Sequence, residues 1–268
     1  MQISRRDFFA SAFAGIASRG SIDPLEGLSG ALPRFPHCFL LASGSDRLHV
    51  ESLTGYRGAL LEGGIPFKSG RLRQCPSRGL IVAPSLGRAD GVTVRHLAKR
   101  AEYGASVLFE CGVFADRTEF ETERRACHLY FGISLEPPAN LWHEDSKSAV
   151  GVPGRVPYVD LNWPLASKVR DFSRIVPLGE TDGEAIGWRG GVPIALKKRL
   201  GEGVLIFLGS PIGPALAAGD TEAHEWFEAT VEVIDGLEPR HRRSSEAVIE
   251  SPPNHHPERS EGSSHLFL

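Results

Sequence analysis

Cysteine is scarce in this sequence, with four residues in 268, and Cys38, Cys75, Cys111 and Cys127 stand too far apart for any CxxC zinc or dithiol motif. A chain of this length builds a core without staples, so no obligatory disulfide is expected. Charge of one sign is also missing. Thirty Lys and Arg stand against 33 Asp and Glu, for a net charge of -3, which offers no broad basic field to a phosphate backbone and excludes nucleic acid as the expected partner. Neither GxxxxGK[ST] nor GxGxxG occurs, so no nucleotide, and no other cofactor, is expected. The ten histidines are scattered, and the one adjacent pair, His255 and His256, sits in a polar tail, so no metal site is expected. No apolar run approaches the ~20 residues that cross a bilayer, and no stable membrane span is expected.

What is present describes one globular body with additions at both ends. Hydrophobic residues make up 41% and charged residues 24%, an ordinary balance for a soluble core. The segment Ser4-Arg5-Arg6-Asp7-Phe8-Phe9-Ala10 resembles the S-R-R-x-F-L-K pattern of twin-arginine export signals, with Phe9 in the Leu place and Ala10 in the Lys place. The apolar stretch from Phe8 to Ala17 has the length of a signal core. The resemblance implies an export signal over 1–18, the twin-arginine translocase as a partner, and a periplasmic or extracellular location. The only A-x-A, Ala12-Phe13-Ala14, falls inside the apolar run, which leaves open whether the leader is removed or stays as an anchor. The competing reading of this segment is an amphipathic N-terminal helix. Residues 19–36, rich in Gly, Pro and Ser, read as a linker, 37–236 as the folded domain, and 237–268, poor in apolar residues, as a disordered tail.

Within the folded part, continuous apolar runs alternate with amphipathic segments. Cys38 to Ala42, Leu80 to Ala83 and Ser106 to Phe109 read as buried strands, with a short strand at Ile65-Pro66-Phe67. Between them lie helices over 49–62 and around Val94, Leu97, Ala98 and Ala101, which recur at i, i+3, i+4 and i+7; a third spans Arg117 to Phe131 and buries Phe120, Cys127 and Phe131. Strands alternating with helices predict an α/β fold, here a flavodoxin-like, mostly parallel sheet with helices on both faces. Residues 136–157, rich in Pro and Gly, read as a long surface loop. The segments 172–178, 184–188, 194–199 and 204–208, separated in part by Gly190-Gly191 and Gly201-Glu202-Gly203, predict an added antiparallel hairpin region. A last helix over 221–234 has Asp220 as its cap and Gly236 as its stop.

The order from His37 to Phe114, with Leu80-Ile81-Val82-Ala83-Pro84-Ser85, a helix, and then Val107-Leu108-Phe109-Glu110-Cys111-Gly112, resembles the class I glutamine amidotransferase-like superfamily. Gly191-Val192-Pro193-Ile194-Ala195-Leu196 through Gly201 to Gly209 is similar to that superfamily's closing hairpin. The resemblance implies Cys111 at the nucleophile position. Its catalytic members carry G-x-C-x-G and a later H-P-E, whereas this chain has Phe109 and Val113 in the glycine places and Ser210-Pro211-Ile212 where H-P-E belongs. With those departures, the resemblance implies an exported, non-catalytic ligand-binding or accessory domain, with a small molecule or glycan as ligand. The alternative is a cysteine-dependent hydrolase using Cys111. Cys111 also reads as a small buried hydrophobe at a strand end. Glu110 stands beside it, and the loops carrying Ser43, Ser45, Asp46 and Ser85 follow parallel strands, so with Ser210 these residues form the candidate binding site. His96 and His128 read as solvated, His224 with Trp226 and Phe227 as sheet cover, and Trp142, Trp163 and Tyr158 as loop anchors or sugar-stacking aromatics.

Overall fold

A computed structural model of the chain describes residues 38–236 apart from 45, 86–88, 112–116, 140–157 and 171–174. The export signal, the linker, the tail, Ser45 and most of the 136–157 loop lie outside the described residues. A nine-stranded sheet runs through the domain. Its first half is parallel: β1 (Cys38–Leu41), β2 (Phe67–Gly70), β3 (Gly79–Ala83), β4 (Ala105–Glu110) and β9 (Gly203–Leu208) line up in the order β2-β1-β3-β4-β9. The second half is antiparallel: β8 (Val192–Leu200) pairs with β9, then β7 (Glu184–Arg189), β5 (Tyr158–Leu161) and β6 (Ser167–Arg170) continue outward. The expectation of a flavodoxin-like, mostly parallel sheet is therefore corrected. Four of the nine strands are antiparallel, and the β8–β9 ladder fuses them to the parallel strands in one mixed sheet.

Two regions of the chain depart from the sequence reading for a physical reason. Strands β5 and β6 are four residues each, Y-V-D-L and S-K-V-R, too short for their alternation to stand out. Their pattern is nonetheless that of a sheet covered on one side: Val159, Leu161, Ser167 and Val169 are buried, while Tyr158, Asp160, Lys168 and Arg170 are exposed. The strand expected over 172–178 is reduced, among the described residues, to isolated bridges between Leu135 and Leu178 and between Ala139 and Ile175.

The parallel strands are continuous apolar runs because both of their faces are covered. One face carries Phe39, Leu41, Ile81, Val107, Phe109 and Phe207 against α2 (Gly91–Glu102) and α3 (Arg117–Ala126), which continues as a π turn over Cys127–Phe131. The opposite face carries Leu40, Leu80, Val82, Leu108, Ile206 and Leu208 against α1 (Arg47–Glu62), α4 (Gly213–Ala217) and α5 (Thr221–Ile234). The chain thus leaves β1 toward one face and β3 toward the other. The carboxyl ends of these neighbouring strands are thus the topological switch point of the sheet, the place where open α/β sheets take ligands.

Side-chain caps set the starts of α1 and α5. Asp46 accepts from His49 N at 3.0 Å and starts α1 at Arg47, two residues earlier than its apolar pattern shows. Asp220 caps α5 through Ala223 N at 3.2 Å. Its other oxygen accepts from Arg170 N at 3.4 Å, and Glu222 accepts from Lys168 N, so carboxylates of α5 occupy the outward amides of the edge strand β6.

A buried carboxylate at the centre of the candidate site

Glu110 closes β4 and is fully buried at the carboxyl end of the parallel strands. Its Oε1 accepts from the Tyr56 hydroxyl at 2.6 Å, from Ile212 N at 2.8 Å and from Gly213 N at 2.9 Å; its Oε2 accepts from Ser85 N at 3.0 Å. One side chain thereby ties α1, the loop after β3, and the start of α4 to the end of β4. Burial pushes its carboxyl above the ordinary value of 4.5, and the Tyr56 hydroxyl and the Ser85, Gly213 and Ile212 amides partly offset that rise. Burial and the neighbouring Glu110 charge hold the Tyr56 phenol well above 10.0. Donors converge on the carboxylate from four groups and no bulk water reaches it, so its work is to join loops.

Cys111 is the next residue. Its N–H bonds to Leu208 O at 2.9 Å and prolongs the β4–β9 ladder by one residue. The thiol is 1% exposed and donates to Glu123 Oε1 at 3.1 Å, and Glu123 is itself 1% exposed. Burial first and the Glu123 charge second raise Cys127 well above 9.0.

Of the residues proposed from sequence, Ser85, Glu110 and Cys111 come together: the Ser85 hydroxyl also reaches Cys111 O at 3.4 Å. Ser210 is buried in the segment that leads from β9 to the Ile212 and Gly213 amides. Ser43 and Asp46 are exposed at the rim, Asp46 serving as the α1 cap. His128 is exposed, and His96, held below 6.5 by burial and the nearby Arg100 charge, accepts from Arg100 Nε at 3.3 Å. His224 lies 3.0 Å from Leu216 O and 3.4 Å from Glu62 Oε2 on the covering helices, while Trp226 and Phe227 are fully buried. Tyr158 is exposed, and Trp163 lies under Lys197 Nζ at 4.6 Å from the ring centre.

Four residues of the site escaped the sequence reading. His49, Ser52 and Tyr56 recur at i, i+3 and i+7 on α1 and are all buried, a polar stripe where an apolar one is usual. Glu123 falls between Phe120 and Cys127 at the same spacing on α3. A polar residue at a core position of a helix was the available signal in both cases, and only the tertiary partners show what it meets. Among the described residues no group of three or more His, Cys, Asp or Glu could hold a metal ion, and no helix is long and apolar enough to cross a membrane.

A depression of about 470 Å³ lies away from this end, beside the turn between β8 and β9, lined by Asp182, Glu184, Lys197, Lys198, Arg199 and Glu202. Two of its three acids are neutralised locally, Asp182 by Lys198 at 2.6 Å and Glu184 by Lys197 at 2.9 Å. The charge and organisation of the Glu110 end make it the better candidate for a site.

No family model matches the chain, and no curated protein matches it in sequence. Its fold is shared with solved glycoside hydrolases. An exo-β-1,4-mannosidase from Opitutaceae bacterium strain TAV5 superposes with a TM-score of 0.54 at 13% identity, over 75% of this chain and 37% of the mannosidase. A β-galactosidase from Bacillus circulans sp. alkalophilus gives 0.53 at 13% identity over 76% and 31% of the two chains, and one from Rahnella sp. R3 gives 0.52 at 13% over 75% and 31%. The chain spans about a third of the length of these enzymes. At such identity the likeness is one of fold alone, and it corrects the resemblance drawn from sequence. These structures are named as glycoside hydrolases, and none of them as a class I glutamine amidotransferase. The amidotransferase-like accessory domain and the cysteine-dependent hydrolase are both set aside with that resemblance, and the buried, carboxylate-facing Cys111 agrees with the second of these corrections.

Proposed function

We propose that this chain takes part in glycan hydrolysis, as the counterpart of the third of a β-galactosidase or β-mannosidase chain with which it superposes. The shared fold carries this reading, since a mannosidase and several β-galactosidases align over three quarters of the chain. The reading names a process and a substrate class, β-linked galactosides and mannosides, and assigns bond cleavage to no described side chain. Glycosidases pair two carboxyl groups across the scissile bond, one of them held protonated. Glu110 has a raised pKa but is sealed by four donors, and Asp182, whose pKa Lys198 lowers, is paired at the surface.

The test uses the purified full chain with 4-nitrophenyl β-galactoside and β-mannoside, and with soluble β-1,4-mannan and β-galactan. Release of nitrophenol or reducing sugar, or saturable retardation in gels containing the polysaccharides, supports the reading. Absence of both hydrolysis and binding across all four substrates overturns it.

A further inference from the structure

The outer antiparallel strands of the sheet are buried on one face only, and their open face is patterned. Directly paired residues of neighbouring strands put their side chains on the same face, and residues two apart on one strand share it as well. Tyr158 pairs with Arg170 of β6, and Asp160 pairs with Lys168 of β6 and with Trp188 of β7. Five side chains therefore stand together on the face opposite the buried Val159, Leu161 and Val169. Tyr158 is 40% exposed, the Asp160, Lys168 and Arg170 side chains are 56%, 71% and 53% exposed, and Trp188 is partly exposed. Tyr158 and Trp188 are diagonal neighbours across the two strands, a relation that sets residues about 7–8 Å apart and keeps aromatic side chains within reach of each other.

This face has room in front of it and is held in place. Beyond Trp188 the chain turns at Gly190-Gly191, where a Cβ on either residue would meet nothing within 4 Å. On the other side, carboxylates of α5 accept from the outward amides of β6, Glu222 from Lys168 and Asp220 from Arg170, which fixes the strand while its side chains stay exposed. The charges are balanced: Lys168 Nζ lies 3.8 Å from Asp160 Oδ1, and Arg170 Nε lies 3.9 Å from Asp220 Oδ2. A face whose charges cancel offers little to an ion, and its polar rim stays too well hydrated for a purely apolar partner. It matches a neutral sugar, whose C–H surface packs on aromatic rings while its hydroxyls pair with the acid and the bases around them.

We propose that this face, centred on Tyr158 and Trp188, binds a neutral β-linked glycan. Sugar units lie across the two aromatic side chains, Asp160 accepts from their hydroxyls, and Lys168 and Arg170 donate to them. The ion pairs on the face are long and exposed, so all three charged groups keep hydrogen-bonding capacity for a ligand. A sheet face lacks the concavity that holds a single small molecule, so the ligand is a run of sugar units and not a monosaccharide. The surface anchors a polysaccharide and breaks no bond. It rests on the glycan reading above and gives it a location away from Glu110, since β5 is the fourth strand beyond β4 in the sheet order.

The experiment titrates the full chain calorimetrically with β-1,4-mannotetraose and β-1,4-galactotetraose, and with mannose and galactose as single-sugar probes. The expected result is saturable binding of at least one tetraose, weakened about tenfold in Tyr158→Ala and in Trp188→Ala and kept within about twofold in Tyr158→Phe, which retains the ring. Tyr158 is exposed, so its variants are expected to fold, which an unchanged urea midpoint checks; the Tyr158 pair decides alone should Trp188→Ala fail to fold. Tetraose binding that Tyr158→Ala leaves unchanged overturns the proposal, as does a monosaccharide that binds as tightly as the tetraoses. A wild-type dimer in sedimentation that Tyr158→Ala dissociates overturns it too, because a second copy then covers the face. If the chain hydrolyses or retains mannan or galactan with no tetraose binding at this face, the proposal fails and the glycan reading stands. If it neither hydrolyses nor binds any of these glycans, both fail.

Discussion

The Tyr56 hydroxyl on α1 and Glu110 Oε1 at the end of β4 are 2.6 Å apart across 54 residues of sequence, and neither is exposed. Around this contact the other donors to Glu110 arrange the loops after β3 and β9. Removing the hydroxyl in Tyr56→Phe should cost about 1.5–3 kcal/mol, the range for hydrogen bonds to charged groups, read as a lower urea midpoint with unchanged slope. Glu110→Ala leaves four buried donors unmet and should be the more damaging substitution.

Glu110 also sets a pH dependence. Its folded carboxyl sits above the ordinary 4.5 because of burial, so the folded chain binds this proton more tightly than the unfolded one. The contribution of the group is full below pH 4.5 and falls as pH rises through the raised value. Glu110→Gln should lack that fall, so the difference curve, wild type minus variant, should decline from pH 4 to pH 8. A difference curve that rises over this interval would contradict the assignment.

All four cysteines are buried and none is tied into a disulfide. Ellman's reagent should therefore titrate none of the four in the native protein and all four in urea. Burial raises Cys75 to about 11 and pushes Cys38 and Cys127 up as well. Each stays protonated in the folded chain at a pH where it ionises in the unfolded one. Stability should accordingly decline as pH climbs above 9, and thiol labelling should rise in parallel with unfolding. Rapid labelling of Cys111 at neutral pH in the folded protein would contradict its burial against Glu123.

Asp220 caps α5 and, with Glu222, covers the outward amides of β6. Asp220→Ala should cost about 1–2 kcal/mol, the upper part of the range for a lost cap. Hydrogen exchange should locate the effect: the Arg170 and Ala223 amides should exchange faster, while those of β3 and β4 change only with global stability.

The export signal expected at the N-terminus lies outside the described residues and is tested in cells. With Arg5 and Arg6 both replaced by Lys, a tagged full-length chain should remain in the cytoplasm, whereas the wild type passes out. Equal export of the two would refute a twin-arginine route.

Local pattern was enough for the parallel half of this protein. The runs at Cys38, Leu80 and Val107 are apolar without interruption because strands covered on both faces have no polar side to show, and the 3.6-residue spacing of Val94, Leu97, Ala98 and Ala101 marks the helix that covers them. The same pattern gave no view of β5 and β6, whose four-residue alternations are too short, and it read β7 to β9 as an added hairpin region without showing that β9 pairs with β4 and fuses the two halves into one mixed sheet. Sequence placed Ser85, Glu110 and Cys111 at strand ends, because a strand's end is a local property. It could not show that Tyr56 reaches Glu110, that Glu123 faces Cys111, or that His49 is pinned to Pro84, since each contact joins elements brought together only by stacking helices on opposite faces of one sheet. Residue type and spacing determined which groups were available at the strand ends; the tertiary fold decided which of them were brought together and sealed, because burial and pairing depend on elements distant in sequence.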